Sequence, residues 1–185
     1  ETATHECSEA LSRGTEIIGV KEEAGGNNHA KTLLPFVDEV LKQSGVNMTE
    51  INGVAVSIGP GSYTGLRIGV STAKGIAYTA GIPVMAISTL ESIAQGAKTL
   101  WSGTSTETVQ IVPMIDARRM EVYTAVFERD TTNQNNWKQT TETAPEIIDE
   151  NSFADLLEEG PVLFIGDGAG KCADVIKHPN ARFEQ

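Results

Sequence analysis

Three carboxylates in this sequence stand beside strand-like runs: Glu1 in the first half, Asp116 and Asp167 in the second. A two-metal nuclease needs three or four carboxylates converging on one sheet, and this set is divided between two halves. A sugar or acid kinase of duplicated design would instead place a carboxylate from each half around a nucleotide and its Mg²⁺. Glu1, Asp116 and Asp167 leave that phosphotransferase reading open as the alternative. The stretch Ser57–Gly69, SIGPGSYTGLRIG, adds four glycines and one proline directly after the apolar run Gly53–Val56. A glycine turn between a strand and a helix can aim free N–H groups at an anion, at the positive end of the helix. Gly59 and Gly61 are therefore candidates for a phosphate cradle. No Gly-Lys-Ser/Thr follows, and the spacing is not that of a dinucleotide fingerprint.

The other reactive residue types are sparse. His5, His29 and His178 never pair at three or four residues, so no helical metal site is present in the sequence and no metal is expected. His29 reads as a capping or surface residue. Cys7 and Cys172 form no CxxC pattern, which fits a reducing cytosolic interior. Cys7 reads as a packed strand residue. As a nucleophile it would need a base, and only His5 is near. Arg118 and Arg119, beside Asp116, read as a charged hairpin tip.

The same glycines have a steric reading. Gly65, Gly69, Ala73, Ala77 and Gly81 recur every four residues. At 3.6 residues per turn they form one slowly winding stripe of small side chains, with Leu66, Val70 and Ile76 beside it. Such a face lets a neighbouring helix approach to the short end of about 8–10 Å between axes. Glycine in mid-helix costs about 0.5–1 kcal/mol relative to alanine, so close approach is a reason to keep it.

The elements that must position these residues follow from pattern. The 185 residues suit one ordinary domain or two small fused halves. With 39% hydrophobic but only 5% aromatic residues, the core must be built from Ala, Val, Ile and Leu. The net charge of -11 repels phosphate backbones, so no direct tRNA binding is expected. No apolar run reaches the roughly 18 residues of a membrane span, and no signal peptide is visible.

CSEAL and EIIGVKEE read as a two-stranded meander turning at Arg13-Gly14. Asn27-Asn28 can cap a helix that ends at Gly45, with Pro35 kinking it or marking a later start. INGVAVSIG reads as a central strand, apolar on both faces. A helix over about 62–80 follows, then a short buried strand, VMAIS, and a further helix from Leu90. The polar stretch WSGTSTET marks a domain boundary, giving halves 1–100 and 101–185. The second half repeats the plan: strands VQIVPMID and MEVYTAVFE, the polar stretch RDTTNQNN, a strand near Trp137, a helix, the strand PVLFIG, the turn DGAG and a helix. Three meandering strands followed by alternating helix and strand imply an α/β fold with mixed sheets flanked by helices.

SIGPGSYTGLRIGVSTAKGIAYTAGIPVMAISTLE, with ETATHECSEAL before it and DARRMEVY after it, strongly resembles the TsaB (YeaZ) family. The resemblance covers most of the chain and is most specific over Val54–Glu91. It implies an actin-like ATPase (ASKHA) fold of two RNase H-like halves. It also implies a non-catalytic scaffold without a cofactor, needed to make threonylcarbamoyladenosine beside the anticodon of tRNA. The expected partners are a TsaD-like catalytic subunit, which this chain would hold in an active form, and a TsaE-like ATPase subunit. Self-pairing as a homodimer is expected in isolation, and the location is cytoplasmic. The family's pairing surface comes from its first two helices. Carried onto this chain, it comprises Leu33, Leu34, Val37, Leu41, Leu66, Gly69, Val70 and Ala73. The glycoprotease label attached to the family finds no H-E-x-x-H and no triad here. Two departures stand out. Glu9 occupies a strand position where an apolar residue is usual, and the resemblance places a further strand before Glu1 and a helix and strand after Gln185.

Overall fold

The computed structural model describes residues 1–24, 29–97, 110–129 and 137–184. Contacts divide the chain into two compact units, Glu1–Ser88 and Thr89–Gln185. The Asn27-Asn28 cap, the polar boundary at 101–108 and nearly all of RDTTNQNN lie outside the described residues.

In the first unit, β1 (Cys7–Arg13) and β2 (Glu16–Glu23) form an antiparallel hairpin. Its turn holds Gly14 at φ +62°, the left-handed region that glycine enters without a Cβ clash. Helix α1 (His29–Ser44) buries Leu33, Phe36 and Val40, three positions on one helical face, and ends at Gly45 with φ +65°. The helix runs through Pro35 rather than starting after it. A single 3₁₀ turn over Met48–Glu50 leads to β3 (Val54–Ser57). Then come α2 (Tyr63–Ala80) and β4 (Val84–Ile87), with β4 parallel to β3.

The sheet of this unit is in two pieces, β1–β2 and β3–β4. Edge residues of β1 and β3 face a shared cleft of about 490 Å³. Within this chain the two apolar strands are only partly covered. Val84 and Met85 in β4 are 38% and 49% exposed, and only Ser57 of β3 is fully buried. An apolar strand is buried only where another layer covers it, and β4 has little covering it.

The second unit is a conventional mixed sheet. Helix α3 (Thr89–Gly96) precedes β5 (Gln110–Asp116), β6 (Glu121–Thr124), β7 (Phe127–Arg129), β8 (Trp137–Gln139) and β9 (Ala144–Ile147). Helix α4 (Ala154–Glu159), β10 (Val162–Ile165), α5 (Ala169–Cys172) and β11 (Ala181–Glu184) complete it. The strand order is β11–β10–β5–β6–β9, with β7 and β8 continuing from the other end of β5. β10 is parallel to β5 and β11, and the remaining pairs are antiparallel.

Alternate residues of β5 and β10 feed two cores. Ile111, Leu163 and Ile165 join Leu90 and Phe127 on one face. Val112, Val162 and Phe164 join Leu157 and Val122 on the other. Each fully buried side chain of this size is worth about 1.5–3 kcal/mol, so β5 and β10 anchor the unit.

MEVYTAVFE reads as one strand but forms two, β6 and β7. The cause is Pro113, which has no N–H to donate midway along β5. β6 pairs with Met114–Asp116 and β7 with Gln110–Ile111, so the ladder breaks opposite the proline. The freed groups bond elsewhere: Thr124 Oγ1 donates to the Pro113 carbonyl at 2.8 Å, and the Val126 N–H donates to Thr141 Oγ1 at 2.8 Å. Strand β9 is unanticipated, because its Pro145 argues against a strand; the proline is tolerated on the outer edge of the sheet.

Candidate functional site

The glycine stretch seats a piece of its own chain. Residues Thr2 and Ala3 lie against the start of α2, both buried. A Cβ on Gly65 would sit 1.9 Å from the Thr2 carbonyl oxygen, and one on Gly69 would sit 2.4 Å from Thr2 Oγ1. A Cβ on Gly61 would meet the Ala3 carbonyl oxygen at 2.5 Å. Bulkier residues cannot occupy these positions without moving the segment. The polar groups agree: Thr2 Oγ1 donates to the Gly65 carbonyl at 2.8 Å, and the Ser62 N–H donates to the Ala3 carbonyl at 2.6 Å.

The amides at the start of α2 are taken up internally. Gly65 N–H donates to the N-cap hydroxyl of Ser62 at 3.3 Å, and Leu66 N–H to the Ser62 carbonyl at 2.8 Å. Of the two readings of the glycines, packing accounts for Gly61 against Ala3, and Gly59 stands at φ +119° beside Leu66.

Helix α2 has a second face. Between the outer sides of α1 and α2 lies an open groove of about 970 Å³, lined by Leu34, Met48, Thr72, Gly75, Ile76 and Thr79 among others, with no charged side chain among its lining residues. Leu34 is 56% exposed there. An adjoining hollow continues along α1 past Val37 and Leu41. In a chain of net charge -11, an uncharged groove is a compositional exception.

The residues expected at a pairing surface therefore separate. Leu34, Val37 and Leu41 border this outer surface. Leu66 and Val70 are half-buried. Leu33, Gly69 and Ala73 are buried within their own unit, a correction with a plain cause: they lie on the helix sides that meet β1, β3 and Thr2. Gly75, Ile76 and Met48 were missed. Their only signal was the run of small uncharged residues at 71, 72, 75 and 79, on the side of α2 away from the stripe.

The three carboxylates are committed to the fold. The Glu1 side chain accepts the Ala3 N–H at 2.5 Å and the Ser57 hydroxyl. Asp167 Oδ1 accepts the Asp116 N–H at 3.0 Å, so the second unit does bring these two acids together. The ammonium of Lys171 pairs with Asp116 and also donates to the Arg119 and Glu121 carbonyls at 2.8 and 2.6 Å. An internal cation thus already neutralises the acid that phosphoryl transfer would need for Mg²⁺. Among the described residues no three His, Cys, Asp or Glu side chains converge as a metal site.

The remaining candidates are structural. His29 opens α1 and its Nε2 lies 3.1 Å from the Thr4 carbonyl. Cys7 is buried and accepts from Thr32 Oγ1 at 3.6 Å. Burial pushes the Cys172 thiol up, away from a reactive thiolate, and its Sγ lies 3.2 Å from the Gly168 carbonyl. No helix among the described residues is long and apolar enough to cross a membrane.

The model of a family described as TsaD, tRNA N6-adenosine threonylcarbamoyltransferase, matches residues 8–164. The tRNA threonylcarbamoyladenosine biosynthesis protein TsaB of Escherichia coli K12 is 38% identical over 152 residues, which is 81% of this chain and 63% of that protein. TsaB of Bacillus subtilis 168 is 31% identical, over 90% of this chain and 68% of that protein. The chain therefore spans about two thirds of the length of these curated relatives. A crystal structure from Pseudomonas aeruginosa, described as an uncharacterized protein with similarity to peptidase YEAZ, matches with a TM-score of 0.82 at 26% identity. That match covers 99% of this chain and 80% of the other.

Proposed function

The chain belongs to the TsaB/YeaZ family and has its mixed α/β, actin-like fold, and on that basis we propose that it is a non-catalytic docking subunit for threonylcarbamoylation of tRNA. The uncharged groove between α1 and α2 carries this reading. An amphipathic helix laid in such a groove is a standard way for one protein to hold another. A stable contact of ordinary size would bury about 1,200–2,000 Å² in total. The partner we assign to it is a TsaD-like catalytic subunit, with a TsaE-like ATPase subunit joining the assembly in the cytoplasm. In the absence of that partner the same face pairs with a second copy, an isologous contact that symmetry permits.

No group in this chain supplies chemistry in this reading. Glu1, Asp116 and Asp167 are bonded internally, Asp116 by Lys171, and both cysteines are buried. Gly75 provides the test. It lies in the groove with nothing within 4 Å of a built Cβ, so a larger side chain can leave the helix there without a clash at its first atom. Gly75→Arg is expected to keep the melting temperature and to lose co-purification with the catalytic subunit by about tenfold or more, the loss of roughly 1.4 kcal/mol or more. Full recovery of the partner with a folded Gly75→Arg chain would remove the groove from the interface.

A further inference from the structure

The loop joining β5 and β6 does something that its packing does not require. Arg118 and Arg119 stand in succession at φ +70° and +49°, and both are exposed. The left-handed region costs an L-residue roughly 1–2 kcal/mol, and hairpin turns of this hand favour Asn-Gly. Two arginines there are a choice against local preference. The backbone is nevertheless held from several sides. Arg118 N–H donates to Asp116 Oδ1 at 2.9 Å and Glu121 N–H to the Arg118 carbonyl at 3.1 Å. Ala117 N–H donates to the Glu121 carbonyl at 3.0 Å, and Lys171 Nζ to the Arg119 carbonyl at 2.8 Å.

The side chains have no such partners. None of the ion pairs or side-chain hydrogen bonds among the described residues engages either guanidinium. Asp116 is paired with Lys171, and Asp167 Oδ1 accepts the Asp116 N–H. So an acidic protein places two adjacent arginines, neither in an ion pair among the described residues, on a strained and anchored backbone. Strain held in place by its surroundings points to function.

We propose that Arg118 and Arg119, side by side on this anchored turn, together bind a phosphate group on an anionic ligand. Guanidinium planes match phosphate oxygens in bidentate fashion, which an ammonium does not. The doubly charged, many-oxygen phosphate satisfies both planes at once. The net charge of -11 opposes an RNA backbone and favours a free polyphosphate or nucleotide as the source, with RNA the competing outcome of the test.

The test is amide NMR on the whole chain, titrated at low salt with sodium tripolyphosphate and, separately, with a short single-stranded RNA. Residues Ala117–Glu121 should shift saturably with at least one of them, and the response should weaken as salt rises. Tripolyphosphate binding about tenfold tighter than RNA assigns a free phosphate ester; the reverse assigns an RNA backbone. Arg118→Asn with Arg119→Gly installs the residues this turn favours and should abolish the shifts while the rest of the spectrum stays in place. Arg118→Lys with Arg119→Lys keeps the charge and should weaken binding by about tenfold. Absence of saturable shifts with both probes overturns the proposal. So does a lysine pair that binds as well as the arginine pair, since then only net charge is felt.

Discussion

Helix α2 carries small residues on two faces, and they are small for opposite reasons. On the inner face Gly65, Gly69, Ala73 and Ala77 are all buried, and the first two leave room for Thr2. On the outer face Ser71, Thr72, Gly75 and Thr79 line an open groove, and a Cβ on Gly75 would touch nothing within 4 Å. The inner face is filled by the chain itself. The outer face is smooth and uncharged with nothing of this unit over it. Small residues alone do not tell a packed face from a docking face. What lies against them does.

The sharpest way to break the comparison is to enlarge one residue on each face. Gly65→Leu drives a side chain into a backbone carbonyl, which cannot rotate away, and Gly69→Arg drives one into Thr2. Overpacking of this kind costs about 1–3 kcal/mol and more where backbone must move, and the carbonyl clash at Gly65 belongs at the upper end. Both variants should lower the melting temperature by several degrees or more, with Gly65→Leu the worse. Gly69→Arg would then lose partners because the first unit is damaged. Thermal melts and partner recovery measured together distinguish that from Gly75→Arg, which should lose partners only. Equal melting temperatures for Gly69→Arg and the parent chain would refute the inward orientation.

The next effect is smaller and acts on both faces at once. Ser62 accepts the Gly65 N–H at the N-cap of α2. Ser62→Ala should cost about 1 kcal/mol, seen as a modest drop in melting temperature with partner recovery unchanged. A loss of binding out of proportion to stability would mean that the outer groove depends on the first turn of α2.

Much of this was readable from the residues. The four-residue spacing marked α2 as a close-packing helix, and the absence of a lysine after the glycines argued against a phosphate loop. The family resemblance supplied the fold. What was not readable was orientation. Gly69 and Gly75 look alike in a sequence, because periodicity locates a stripe but does not say which side the stripe's neighbour is on. Thr2 is remote from Gly69 in sequence, so their contact has no local signature. Pro113 shows the same limit: its missing N–H splits the facing strand into β6 and β7, an effect visible only once the register is known. The pairing of Lys171 with Asp116 likewise joins residues 55 apart.

The smallest predicted effect concerns charge rather than size. The outer groove has no charged lining residue, whereas the cleft behind α1 holds Glu9 on β1. Burial raises the Glu9 pKa. A carboxyl whose folded pKa lies above its unfolded one binds its proton more tightly in the folded state. Its charging penalty is absent below the ordinary glutamate range, grows as pH rises toward the folded pKa, and is fully present above it. Glu9→Gln should therefore melt higher than the parent at pH 7, with the gap closing toward pH 4. If the gap instead widens in acid, Glu9 is stabilised as the anion, and the inner cleft tolerates charge as the outer groove does not.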